Sequence, residues 1–192
     1  MRRNRSCCST APPASNTPCP PPPPHSTGTR RSTSTRCEHG VRRSMTVTLR
    51  SVRPDDLPVF FVHQSDPEAA AMAGFTPRAR DAFDAHWSRI IAGPAFVVRT
   101  VEVAGAVAGY VSAFPREGRT EIAYWLGRDY WHRGIGRTAV AMFLVQQRER
   151  PLFASVIDTN GASQTILEHC GFTVVREEAG DDGVRERTLR LD

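Results

Sequence analysis

Residues 120–127, TEIAYWLG, are rich in β-branched and aromatic side chains, and a loop with two glycines, YWHRGIGRTA, follows at 130–139. This pairing constrains the chain more than any other stretch. A strand must end near Leu126 and a helix must begin near Gly134, carrying Ile135, Ala139 and Met142/Phe143 on one face. The first turn of a helix offers backbone N–H groups without intrahelical acceptors at the positive end of its dipole, which is an anion site. Gly134 and Gly136 have no Cβ, so a phosphate can approach the backbone closely, and Arg133 and Arg137 add charge at the rim. The same glycines are also accounted for by a tight turn and by close packing of helix on strand. Two familiar phosphate loops are excluded. A Walker loop needs lysine, and the chain has none; a dinucleotide fingerprint needs three glycines early in a βαβ unit, and here two come late, after a hairpin.

Around this unit the patterns alternate. Residues 45–53 read as a first strand, and Pro54 stops it; Asp55 and Asp56 are capping candidates for a short helix with Leu57, Phe60 and Phe61 inward. SDPEAAAMAGF is a loop or a short helix. Thr76, followed by Pro77, predicts an N-cap for a helix reaching Ala92, with Phe83, Trp87 and Ile90 on one face. Two β-rich runs around Glu102–Gly105 form a hairpin, and REGR turns the chain into the strand above. The helix from Gly134 extends to Arg150, where Arg148 and Arg150 favour the negative end of its dipole. LFASVI is a strand. Asn160 opens a further helix with Ile166 and Leu167 inward, closed by Gly171 in a left-handed conformation. Two last strands flank a turn at 180–183, where Asp181, Asp182 and Gly183 supply turn residues. Helices alternating with strands around a central hairpin indicate a mixed α/β sheet.

Residues 1–44 are of another kind. They hold eight arginines against Glu38 alone, eight prolines including the run Pro20–Pro24, and few large apolar side chains. Such a segment cannot offset its ordering entropy by burial. It reads as a disordered Arg/Pro/Ser/Thr-rich extension, or as an over-long gene model with the true start at Met45. Residues 45–192 carry 17 arginines against 19 acids, so the basic character belongs to the head and argues poorly for nucleic-acid binding. Cys7, Cys8, Cys19 and Cys37 lie in the head without metal spacing, and Cys170 stands alone in the body, which suits a reducing cytoplasm. No apolar run approaches the length of a membrane span.

Three motifs in order, EIAYWLGRDYWHRGIGRTA, the Asn-x-x-Ser of NGASQTILEHCGF, and its closing Cys-Gly-Phe, resemble those of the GCN5-related N-acetyltransferase (GNAT) superfamily. They look closest to its ribosomal-protein alanine acetyltransferase branch. The resemblance covers roughly 47–191. It departs at Ala123, at His132, and at Leu167, where many members carry a tyrosine proposed to protonate the departing thiolate.

The resemblance implies a mixed, mostly antiparallel sheet of about seven strands with four helices, two of the strands splayed at the cofactor site. It implies acetyl-CoA as cofactor and transfer of its acetyl group to a primary amine, either a protein N-terminus or a small molecule. The pyrophosphate would rest on the N–H groups of Arg133, Gly134, Ile135, Gly136, Arg137 and Thr138. The pantetheine arm would pair with the backbone of Tyr124, Trp125 and Leu126, one of whose N–H groups could polarise the thioester carbonyl. Asn160 would meet the arm or the opposite loop, although an N-cap explains it fully, and Ser163 would bond the cofactor or close the helix start. Glu121 is the candidate for taking the amine proton, through water, and Tyr124 is the second catalytic candidate; a surface glutamate at a strand start is the plainer account of Glu121. His132, His86 and His63 are rivals of lesser standing. No metal, nucleic-acid partner or membrane is expected, and the protein is a monomer or homodimer. The slight acidity of the body favours cationic or neutral acceptors. With no tyrosine at 167, a non-catalytic acyl-CoA or small-ligand sensor is the alternative.

Overall fold

The computed structural model describes residues 46–179 and 183–192. The expectations for the Arg/Pro-rich head, its four cysteines and the Asp181-Asp182 turn lie outside these residues. A single seven-stranded sheet organises the rest. Its strands are β1 (Val47–Arg50), β2 (Val97–Val103), β3 (Ala106–Arg116), β4 (Arg119–Leu126), β5 (Leu152–Ile157), β6 (Thr173–Ala179) and β7 (Arg185–Leu191), in the order β1-β2-β3-β4-β5-β7-β6. Every neighbouring pair is antiparallel except β4 and β5, which run parallel. The mixed, mostly antiparallel architecture expected from the sequence is therefore present.

Among the described residues, five α-helices accompany the sheet: α1 (Leu57–Gln64), α2 (Pro67–Met72), α3 (Arg80–Ala92), α4 (Ile135–Gln146) and α5 (Gly161–His169). The strand period of two divides their packing. On one face, Val111, Ala113, Ile122 and Tyr124 meet Ile135, Ala139, Val140 and Phe143 of α4 and Leu167 of α5. On the other, Phe60 of α1 packs with Phe83 and Trp87 of α3, against Tyr110 of β3. The fully buried Phe143 alone contributes on the order of 2 kcal/mol through burial.

Three local expectations need correction. Thr76 does not cap α3, which starts at Arg80 after an uncapped Ala79. Phe75 packs edge-on against Trp125 at 5.5 Å and Arg78 stacks over Phe75, so this segment is held along β4 rather than coiled. Asp56 precedes α1 but does not cap it. Its carboxylate instead accepts from Arg50 at 2.6 and 2.7 Å, from the Arg53 N–H and from Thr100 Oγ1, joining β1 to β2 beneath the sheet edge. Helix α4 ends at Gln146, short of Arg148 and Arg150. Pro151 disfavours helical geometry in the residue before it, and Arg150 Nη1 donates to the carbonyls of Gln147 and Glu149 in the resulting loop.

The segment left between loop and helix forms α2. Asp66 accepts from the N–H groups of Glu68 and Ala69, and Pro67 takes the first helical position.

Candidate functional site

Strands β4 and β5 pair at two rungs only, Thr120 with Leu152 and Glu121 with Phe153. Beyond Glu121 they separate, although β4 runs on to Leu126 and β5 to Ile157. A cleft of about 410 Å³ occupies the region beside the separated end of β4. Tyr124, Trp125 and Leu126 form one wall, the loop and first turn of α4 the second, and Asn160–Ser163 with Ile166 the third; Ala69, Met72 and Ala73 of α2 complete it.

The two glycines of the loop serve different ends. Gly134 occupies the N-cap of α4 with φ +73°, a left-handed conformation that costs an L side chain roughly 1–2 kcal/mol. A Cβ at Gly134 would meet nothing within 4 Å, so the backbone here is open to a ligand. At Gly136 a Cβ would lie 2.9 Å from Ile166 Cδ1 and 3.4 Å from Leu126 Cδ1, so this glycine lets α4 pack on α5 and β4. The helical ladder starts where Thr138 N–H bonds Gly134 O at 3.1 Å. The N–H groups of Ile135, Gly136 and Arg137 precede it and carry the positive end of the dipole.

Of the residues singled out from the sequence, the cleft brings together Tyr124, Trp125, Leu126, Gly134, Ile135, Gly136, Arg137, Asn160 and Ser163. Thr138 lines a neighbouring depression with Cys170, and its hydroxyl donates to Gly134 O. Arg133 is exposed outside the cleft, with Nη1 donating to Asp129 O. Asn160 Oδ1 accepts from Ser163 N–H at 3.1 Å, so it caps α5 while its residue faces the cleft. Tyr124 O–H donates across the cleft to Ser163 O, and burial pushes its phenol up to about 12. Trp125 turns to the other face and donates to His63 O.

Glu121 stands apart from the cleft lining. It is buried at the last paired rung. Oε1 accepts from Arg119 Nε and Nη2 at 2.9 and 2.5 Å, and Oε2 from Arg116 Nη1 at 3.3 Å.

The histidines separate clearly. His132 lines the cleft in a left-handed conformation. His63 packs against Gly127 and Tyr130, and burial holds its pKa below the ordinary histidine value, against the pull of Asp129 and Asp66. His86 lies on α3, bonded to Arg89.

Sequence reasoning overlooked α2 as a wall and Trp131 as an anchor. The Asp-Pro-Glu start of α2 is a helix signal that would have found the first. Trp131 Nε1 donates to Leu126 O at 2.9 Å, a contact across five residues that no periodicity announces.

Residues 46–173 match the family model described as "Acetyltransferase (GNAT) domain". An uncharacterized N-acetyltransferase p20 of Bacillus licheniformis is 33% identical over 104 residues, 49% of this chain and 58% of that relative; the chain thus spans little more than half of its length. Among solved structures, the spermidine N-acetyltransferase of Vibrio cholerae, in complex with CoA and spermine, is similar with a TM-score of 0.67 at 16% identity, over 76% of this chain and 94% of that one. The ribosomal-protein-alanine N-acetyltransferase of Brucella melitensis is similar with a TM-score of 0.59 at 22% identity, over 75% and 98%. At these identities the likeness is one of fold, and it extends to both kinds of enzyme. Among the described residues, no helix is long and apolar enough to cross a membrane.

Proposed function

The chain belongs to the acetyltransferase (GNAT) domain family, and from that premise we propose that it transfers an acetyl group from acetyl-CoA to a primary amine, on a small molecule or a protein N-terminus. The observation that carries this reading is the separation of β4 from β5 beside a cleft whose far wall is the open, left-handed Gly134 turn. The residues present fit the cofactor. The N–H groups opening α4 would hold its diphosphate, and the unpaired edge of β4 at Tyr124–Leu126 would receive the amides of its arm. When bound, it supplies an acetyl group as a thioester, which is activated toward amines.

The chain's own tasks follow from that chemistry. A free alkyl amine has a pKa near ~10.4, so it arrives protonated and must lose a proton before its nitrogen can attack the carbonyl carbon. The bound thioester would supply the leaving thiolate, whose uptake of a proton balances the one the amine gives up. Both Glu121 oxygens already accept N–H bonds from arginine, so in this reading the amine proton passes to water at the rung rather than directly to the carboxylate. Tyr124 keeps its proton at neutral pH and spans the cleft to Ser163, which makes it a positioning residue for β4 and α5. The resemblance to the ribosomal-protein branch rests on the strand and loop motifs alone, since similar folds include a spermidine enzyme as well. Cys170, a free thiol, accords with a cytoplasmic setting.

Titration calorimetry with acetyl-CoA, followed by a thiol-release assay over a broad amine panel, tests the proposal. Micromolar binding and amine-dependent release are expected. Binding without release for any physiological amine would favour the sensor instead, and absence of binding would remove both.

A further inference from the structure

The end of β4 limits how a cofactor arm can be aligned in the gap, given the acetyl-transfer reading. Along an antiparallel strand the backbone polar groups alternate sides. Gly127 N–H bonds Ala108 O at 3.0 Å, Ala123 O accepts from Ser112 Oγ at 3.2 Å, and a Cβ at Gly109 would collide with Trp125 O. Ala123, Trp125 and Gly127 therefore turn their N–H and C=O groups toward β3. Those of Tyr124 and Leu126 turn the other way, into the gap beyond the last rung with β5. Each of these two residues brings one donor and one acceptor to that edge, but at Leu126 the acceptor is engaged. Trp131 Nε1 donates to Leu126 O at 2.9 Å, and the same tryptophan lines the cleft.

Trp131 is itself well held. Its backbone N–H bonds Arg128 O at 3.0 Å, and Arg128 pairs with Asp66 at 2.9 Å and with Glu68 at the start of α2. His132, next in the chain, is kept at φ +54°, a left-handed conformation that persists only where its surroundings fix it. Burial of Ile135 and the close approach of Gly136 to Leu126 already place α4 against β4. The indole bond is thus not needed to carry the helix, and its location on the docking edge calls for another account.

We propose that Trp131 is a positioning residue for the cofactor: its indole N–H closes the last acceptor on the β4 edge and so leaves one alignment for the arm. An amide N–H laid on this edge then finds Tyr124 O, while Leu126 N–H stays available to a carbonyl. Donation to Leu126 O instead would move the arm by two residues, about 7 Å along the strand. A diphosphate held at the first turn of α4 does not permit that shift. A ligand bound at two sites gains from its linkage only while their spacing matches its own length. The ring must donate to do this, so phenylalanine cannot replace it.

Calorimetry, by competition where binding is weak, compares acetyl-CoA with its two parts, 3′-phospho-ADP and S-acetylpantetheine, on the full chain and on Trp131→Phe. The variant should bind acetyl-CoA about tenfold more weakly, yet hold each part within about twofold of the native affinity. A purely structural role would leave the ratio between whole and parts unmoved. Exchange of the indole N–H with solvent, followed by NMR on the native chain, gives a second reading that does not depend on the variant folding. Protection of this hydrogen both without and with acetyl-CoA is expected. Unchanged acetyl-CoA affinity in Trp131→Phe, an equal loss for acetyl-CoA and either part, or an indole N–H that loses protection on binding would overturn the proposal and leave acetyl transfer standing. No acetyl-CoA binding by the native chain would overturn the acetyl-transfer reading, and this proposal with it.

Discussion

The hydroxyl of Tyr124 donates to the carbonyl oxygen of Ser163 at 3.3 Å, tying β4 to the first turn of α5 across the cleft. The two strands flanking the gap have no rung beyond Glu121 and Phe153, so this bond helps to set the width of the opening. Tyr124→Phe should lower stability by about 1 kcal/mol, the net value of one buried hydrogen bond, and weaken acetyl-CoA binding severalfold. Thermal melts and calorimetry measure both. Because burial raises the phenol to about 12, the pH profile of kcat/KM should show no inflection lost in Tyr124→Phe below pH 10.

Gly134→Ala and Gly136→Ala should part company. At Gly134 the left-handed backbone makes alanine cost roughly 1–2 kcal/mol, and the added methyl enters the open approach to the α4 N–H groups. Acetyl-CoA affinity should fall tenfold or more. At Gly136 the methyl meets the end of the Ile166 side chain, which can turn aside, so about 1 kcal/mol of stability and a smaller loss of affinity are expected. Equal losses of affinity in the two variants would refute the division of roles.

Glu121→Gln removes a buried anion from between two guanidiniums. A loss of about 2–4 kcal/mol is expected by denaturant titration, less than for a fully buried pair because Arg116 and Arg119 reach solvent. Turnover should fall more than acetyl-CoA affinity. A folded variant with unchanged kcat on its true acceptor would show that the carboxylate has no required part in catalysis.

Acid should unfold the protein in part through Asp56. Burial favours its neutral form, but hydrogen bonds from Arg50, the Arg53 N–H and Thr100 outweigh that and hold its pKa below the ordinary carboxylate value. The unfolded chain therefore takes up this proton first as pH falls. The contribution is fully present above about pH 4 and is lost as pH drops through the folded value. Asp56→Asn should cost about 3 kcal/mol near neutrality and flatten the acid limb of the stability curve. Denaturation midpoints between pH 7 and pH 2.5 check this.

Much of the site was legible because it is made of consecutive residues. The strand at 120–127, the glycine loop and the Asn160 cap carry their signals in local chemistry: β-branched and aromatic content, missing Cβ atoms, and a side chain that reaches an N–H three residues on. Thr76 misled for the opposite reason, since packing of Phe75 on Trp125 outweighs a good capping pair. Gly134 and Gly136 look alike in sequence, and only their surroundings separate an open turn from a packing contact.

The sequence by itself determined which segments become strands and where four of the five helices lie, apart from their ends, and that one helix begins at a glycine turn able to present N–H groups to an anion. Those properties depend on neighbours a few residues apart. Tertiary structure alone decided that β4 and β5 part after Glu121, that α2 closes the cleft, and that Arg116, Arg119 and Arg190 converge on one carboxylate and one aromatic ring. Their partners lie as far apart in the chain as residues 116 and 190, and sheet register, which no local pattern encodes, brings them together.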